Sequence, residues 1–338
     1  MQTSNLVYKH TANEQMQVEV ILASASNTGS PPIYTIRMRY PRPIHGEIMT
    51  HRVFGRNARS SRAVPVRTML DEVRKIPYVP WHWGKNQKGM QASEECNEML
   101  IFKDFENQDL PMTREEAWLA ARTTAANIAE MYMNAGYHKQ NPNRLLEPFS
   151  WIDTLITATQ WQNFLWLRQH HAAEPHLQDL ANLVKKAIEE AKVQVLQSGK
   201  WHLPYITYTD QAKLRDLVQE SSIKPLTPKE VYDSMVDLSC KVSAARCARI
   251  SYKPFNGESS IEAELDRYNL LVTDERVHAS PLEHQATPDQ TTALSTSTLQ
   301  NGQVVGGFET RWKNPHLHGN LTGWCQYRKM IPNEVYHG

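Results

Sequence analysis

The stretch MQVEVILASASNTGSPPIYTIRMRY, residues 16–40, sets the reading of this chain. Val18, Val20 and Ile21, then Ile33, Tyr34, Ile36 and Met38, alternate with polar positions, and a Gly-Ser-Pro-Pro turn at 29–32 divides the run. A side-chain period of two interrupted by turn residues predicts a pair of strands. Pro41 and Pro43 stop the second strand, since proline has no N–H to donate to a ladder, and a helix is predicted to start near His45. Downstream the period changes. Thr113, followed by Glu115 and Glu116, caps a predicted helix running to about Ala135. Further helices are expected over about 149–170, 176–198, 208–219, 227–250 and 259–272, with an amphipathic segment at about 319–331. Residues 63–112, punctuated by Pro65, Pro77, Pro80, Gly84, Gly89 and Pro111, read as irregular, and the aromatic 81–85 stretch as an ordered loop. Residues 285–302, rich in Thr, Ser and Gln, read as loop or edge structure. A boundary near 200–225 gives two halves, 1–205 and 206–338.

The chain has 338 residues, 40% of them hydrophobic and 22% charged, a globular composition with length for a sizeable core. Lys and Arg number 37 against 36 Asp and Glu, a formal charge of +1. A protein gripping long nucleic acid by its phosphates shows a basic excess, so no nucleic-acid partner is expected, and any phosphate site should be a local pocket. Cys96, Cys240, Cys247 and Cys325 have no CxxC spacing, which supports neither a zinc ribbon nor a disulfide framework. No apolar run approaches the roughly 18 residues of a membrane span. A soluble protein of the reducing cytoplasm, with no membrane partner, is the expectation.

Three arginines extend apolar stripes. Trp161, Phe164 and Leu165 lead at i+7 to Arg168; Leu321, Trp324 and Cys325 lead to Arg328; Ile48 and Met49 precede Arg52. A guanidinium on an apolar stripe must find an anionic or carbonyl partner or reach water, and its planar fork suits a phosphate or the edge of a pyrimidine. One such arginine reads as a helix-rim residue paired with a carboxylate; three together point to an anionic ligand. The densest cluster, residues 50–62, holds Arg52, Arg56, Arg59 and Arg62 with Ser60 and Ser61. Glu47 is the one carboxylate between Tyr40 and Leu70. A merely solvated helix face would interleave acids, so this reads as a phosphate site at a helix end. His278, Glu283 and His284 suggest metal ligands, but their spacing is not HExxH and Pro281 prevents a regular helix. Hydrogen bonding to a polar cofactor or a capped loop is expected there, and no metal. His170 and His171 read as either the solvent end of their helix or part of the polar site.

These motifs together resemble the flavin-dependent thymidylate synthase family. The signature RHRxxSxxxxSxR stands here as Thr50-His51-Arg52-x-x-Gly55-x-x-x-x-Ser60-x-Arg62. Residues 163–168, NFLWLR, look like the family's NFLxLR helix; residues 244–252 look like its AARxS stretch; residues 278–284, HASPLEH, look like HxTPFEH. In ordinary members the last two precede the signature, whereas here they follow it. Residues 324–334 look like a second, diverged signature copy, so the chain reads as rearranged, with the signature helix once in each half. Thr50 replaces an arginine, Gly55 a serine and Ala58 a glutamate that the second copy keeps as Glu334.

The resemblance implies an α+β fold, an antiparallel sheet flanked by helices, in a homo-oligomer with sites between subunits. It implies FAD reduced by NADPH, methylenetetrahydrofolate as one-carbon donor, and dUMP methylated at ring carbon C5. Arg168 and His51 would be catalytic. The cofactor would meet His51, Arg52, Asn57, Asn163, Ser251, His278, Ser280, Glu283, Gln326 and Arg328. The nucleotide would meet Glu47, Ser60, Ser61, Arg62, Arg168, Asn333 and Glu334. The departures from the signature leave dCMP as acceptor, or a hydroxymethyl product, as the alternative, and a non-catalytic nucleotide- or RNA-binding relative as another.

Overall fold

The computed structural model describes residues 6–103, 106–257, 259–300 and 303–336, with the backbone alone between 293 and 310. In chain order, β1 (Val7–Lys9), β2 (Gln17–Ser26) and β3 (Ile33–Pro41) lead through a 3-10 turn into α1 (His45–Met49) and β4 (Gly55–Ala58). Then come α2 (Val66–Lys75), β5 (Leu100–Lys103), β6 (Asp109–Met112), α3 (Arg114–Asn134), α4 (Gln140–Leu146), β7 (Trp151–Ala158), α5 (Gln162–Arg168) and α6 (Pro175–Glu189). The remainder is β8 (Gln194–Leu196), α7 (Tyr208–Glu220), α8 (Pro228–Ala248), α9 (Ile261–Leu271), β9 (Ala286–Pro288), β10 (Thr291–Gln300), β11 (Gln303–Trp312) and β12 (Trp324–Gln326).

The class is α+β. The main sheet runs β1-β2-β3-β7-β4, antiparallel throughout, with β8 adding to β2 in parallel. One face carries Val18, Ile36, Met38, Ile152, Ile156 and Ala158 against Leu177, Leu180, Ala181 and Val184 of α6, and Ile48, Phe54, Trp161 and Phe164 extend that core. The other face carries Ile21 and Leu155 against Cys247 and Ile250 at the end of α8. The register slips between Val20 and Leu22. Such an irregularity shifts which side chains face each layer, so Val18 faces α6 while Ser24 faces the buried His202 on the opposite side. α2, α3 and α4 form a satellite cluster around Met69, Leu70, Ala126 and Leu146.

The expected strand pair at 16–40 is present as β2 and β3, and capping boxes at Thr113, Thr207 and Thr227 start α3, α7 and α8. Four expectations fail. Residues 149–170 are not one helix but β7 followed by α5. The helix expected over 176–198 ends at Glu189, before β8. Residues 63–112 contain α2 and the β5–β6 hairpin; residues 285–300, by contrast, hold β9 and β10, each an edge strand of a two-stranded sheet in keeping with the expected loop or edge structure, while 301–302 lie outside the described residues. Neither signature copy is a helix: 50–62 is a turn and β4, and 321–330 is β12 followed by a 3-10 turn. The repeated signature helix is therefore absent, and only the Trp161–Arg168 stripe is helical among the three.

Candidate functional site

β4 is the short edge strand of the sheet, and the segments singled out in sequence converge on it from both halves. On its α6 side, Arg168 ends α5, where a cation also complements the helix C-terminus. Its Nε donates to His51 Nε2 at 3.0 Å, and its Nη2 donates to Thr50 Oγ1 at 3.0 Å and to the Glu47 carbonyl at 3.3 Å. Among the described residues Arg168 has no carboxylate partner and its Nη1 has no acceptor. A guanidinium is always protonated, so His51 must accept at Nε2 and carry its own proton on Nδ1. Burial between Phe54 and Phe164, with the charges of Arg168 and Arg56 beside it, lowers His51 to about 4. The imidazole is neutral and acts as a seat for Arg168. Thr50 donates to the Glu47 carbonyl at 2.7 Å and accepts from Arg168, a relay hydroxyl between the guanidinium and the α1 backbone.

The four arginines of 50–62 divide. Arg59 is buried in a bidentate clamp on Glu72 at 2.7 and 2.8 Å, a structural role. Arg56, not picked out individually in sequence, donates to the His51 carbonyl at 2.9 Å and holds the turn. Arg52 and Arg62 are exposed, with no side-chain partner among the described residues. Ser60 donates its backbone N–H to the Ser251 carbonyl at 2.9 Å, and Asn143 bonds the Ser61 and Val64 carbonyls, so the 60–64 turn is pinned to both halves.

On the other side of β4 lies the Ser280–Glu283 turn. The Glu283 carboxylate pairs with Arg328, which also meets Glu334 at 2.6 Å, and Lys329 meets Glu334 at 2.7 Å. Burial raises the Glu283 carboxyl from its ordinary range, offset in part by Arg328 and by the Arg56 backbone N–H. Gln326 is buried, donating to the Glu283 carbonyl at 3.1 Å and to Asn320, which in turn donates to the Val53 carbonyl. Arg328, Gln326, Glu283 and Glu334 are thus mutually engaged. His278, Ser280, Asn163 and Asn333 are exposed, Ser251 is half-buried, and Asn333 adopts left-handed backbone with φ 59°.

Gly55 explains how this layer closes on β4. A Cβ there would lie 3.2 Å from Glu283 Cβ and 3.3 Å from its carbonyl and Oε2. A side chain at 55 would therefore need Glu283 to give by a few tenths of an ångström. Gly55→Ala is expected to destabilise the fold by about 1–3 kcal/mol by overpacking, read as a lowered denaturant midpoint at unchanged slope.

Asn57, on the same strand face as Gly55, has both side-chain polar atoms buried without a partner. Nearby runs a relay that begins at exposed Gln194 and is buried from Ser24 onward. Gln194 Nε2 meets Ser24 Oγ at 3.0 Å, Ser24 meets His202 Nδ1 at 2.8 Å, and His202 Nε2 meets Thr35 at 2.8 Å. Thr35 meets Thr157 at 2.6 Å, and Thr157 meets His284 Nδ1 at 2.8 Å, leaving His284 Nε2 unpartnered. Gln194 can only donate to Ser24 from its nitrogen, and passing one proton along each link places N–H on His202 Nε2 and on His284 Nε2. Nothing in the sequence marks this relay, because its six members come from six separate segments.

Asp289, His318 and Cys325 are buried and close enough to hold a metal ion. Their hydrogen bonds are already made. Asp289 accepts from Asn314, twice, and from His318 Nε2, while His318 Nδ1 accepts the Gly323 N–H at 3.1 Å. With Nδ1 an acceptor, Nε2 must carry hydrogen and cannot ligate. Burial and Asp289 push the Cys325 thiol up to about 12, so it stays protonated. The trio is a structural hub.

No protein-family model matches the chain, and no curated protein matches it. Among solved structures, the crystal structure of a UMP/dUMP methylase, PolB from Streptomyces cacaoi, bound with 5-Br UMP, is similar over 52% of this chain and 89% of that one. The TM-score is 0.38 and the identity 15%.

Proposed function

We propose that the protein is a flavin-dependent enzyme that transfers a one-carbon unit to C5 of a pyrimidine deoxynucleotide, with methylation of dUMP as the principal reaction. The observation that carries this reading is the Arg168 guanidinium, seated on a neutral histidine with no acid among the described residues to quench it. Such a fork can draw electron density onto a ring carbonyl as C5 becomes nucleophilic, an electrostatic role of the oxyanion-hole type. His51 is a positioning residue in this scheme, because its Nε2 lone pair is committed to Arg168. Exposed Arg52 and Arg62, with Ser60, supply donors for phosphate.

No enzyme nucleophile is required. The alternative route, thiolate attack on C6, is poorly served: burial raises Cys240, Cys247 and Cys325 well above the ordinary thiol range, and Cys96 lines a separate cleft rather than the β4 site. Asn57 offers a test of fit for the flavin and the pyrimidine. Its enclosed, unpartnered carboxamide is a donor–acceptor pair, which the adjacent N–H and C=O on the edge of either ring complement. Glu283, Gln326 and Arg328 fit less directly, since they satisfy one another. When bound, FAD with NADPH supplies the reducing equivalents and methylenetetrahydrofolate the carbon. Met49, Val53, Trp166 and Leu167, exposed around Arg168, with Trp166 at 76%, are surface that a second copy of the chain would cover, which supports a site completed between subunits.

The test is direct. Protein purified and loaded with FAD is given methylenetetrahydrofolate and NADPH with dUMP or dCMP, and products are weighed by mass spectrometry. A methyl adduct on dUMP is expected. A hydroxymethyl product, or dCMP as the one acceptor, would redirect the assignment; absence of both flavin binding and product would leave a nucleotide-binding protein.

A further inference from the structure

At the opposite end of β7 lies a cleft of about 680 Å³ whose lining shares no residue with the β4 site. Its walls are Tyr78, Trp83 and Trp118 with Met99 and Leu100. Tyr78 and Trp118 meet at 5.9 Å and Trp83 and Trp118 at 6.0 Å, in each pair one ring setting its edge against a face of the other, and all three rings line the cleft. Tyr78 also packs on Trp151, the first residue of β7. The Arg168 seat lies by Gly55, which pairs with Thr157 near the other end. Six residues of extended strand separate those positions, about 20 Å.

The volume is that of a small-molecule site, and the charges of the lining narrow the ligand. Arg114 rides 5.5 Å over Trp83, but its guanidinium is neutralised by Glu115 at 2.9 Å and Glu95 at 3.1 Å and also bonds the Cys96 carbonyl. His82 is held by Asp179 at 2.8 Å. Glu98 has no partner among the described residues. The one uncompensated charge on the lining is therefore negative, amid aromatic rings whose faces are also negative. Both attract cations.

We propose that this cleft is a second binding site, separate from the β4 site, for a small organic cation with a flat or methylated apolar body. Trp83 and Trp118 would hold the body by cation–π and stacking contact, and Glu98 would balance the charge. The site does not depend on the one-carbon chemistry proposed above.

The probe is thioflavin T, a flat cationic dye whose emission rises on immobilisation, against the anionic dye 8-anilinonaphthalene-1-sulfonate. The full chain should bind thioflavin T saturably and the anionic dye more weakly. Glu98→Gln, an exposed change that leaves the core untouched, should weaken thioflavin T binding by about fivefold, and Trp83→Ala should abolish it while the thermal melt is retained. Excess dUMP should not displace the dye. Equal affinity for both dyes, binding unchanged in both variants, displacement by dUMP, or dye binding that disappears as the protein self-associates would each overturn the proposal.

Discussion

Acidification from about pH 7 to about pH 5 is expected to remove at least about 4 kcal/mol of folding stability. The cause is His202 and His284, both fully buried in the relay beneath β7, where desolvation lowers each to about 3. In the unfolded chain each titrates near its ordinary value of about 6.5. Above that value both states are neutral and the relay contributes in full. As the pH falls, the unfolded chain takes up protons that the folded chain refuses, and stability declines until the folded values near 3 are reached. At about pH 5 each histidine accounts for about 2 kcal/mol. His45 and His51, lowered to about 4 chiefly by burial, act in the same direction. Urea unfolding at a series of pH values measures this, and proton uptake on unfolding in a weak buffer measures the count independently. A free energy of unfolding flat between pH 7 and 5 would show that the relay histidines are charged or solvated in the native state.

The same relay shows where sequence reading stops. β2 and β3 are legible because alternation and a Gly-Ser-Pro-Pro turn are both local signals. β7 is not: all eight of its positions are buried, so no period of two separates an inside from an outside. Its polar members are satisfied by remote partners, Asp153 by Arg39 and Thr157 by Thr35 and His284. Helix-like spacing misleads in the same way at 321–328. Leu321 and Trp324 pack with Ile33 and Ala286, and Arg328 reaches Glu283, but from a strand and a 3-10 turn rather than one helix face. At the candidate site, the pairing of NFLWLR with residues 50–52 is legible as motifs, since Arg168 and His51 do meet. The engagement of Arg328 by two carboxylates is not, because it depends on how the C-terminal segment returns beside β4. Ser251 and Glu283, though later in the chain, reach the 55–60 stretch from the far side of the sheet.

Arg168→Ala is the second large effect. On the proposed reaction it should lower kcat by about 10²–10³, the loss seen when one donor of an oxyanion-type site is removed, with flavin content preserved. Stability should hardly change, because Arg168 makes no ion pair with a described acid and its hydrogen bonds go to a neutral imidazole, a carbonyl and a hydroxyl. Arg168→Lys should not rescue turnover: an ammonium cannot hold His51 and Thr50 through one edge of a planar fork while presenting another nitrogen to the substrate. Removing the cation also relieves one of the pressures on His51, whose titration should move upward toward its ordinary value while burial keeps it below. That shift, followed by NMR of the imidazole, separates an electrostatic contact from a loss of shape, since a purely steric role for Arg168 would lower turnover and leave the His51 titration where it is. Turnover near that of the unaltered protein would remove Arg168 from the chemistry and with it the observation on which the functional reading stands.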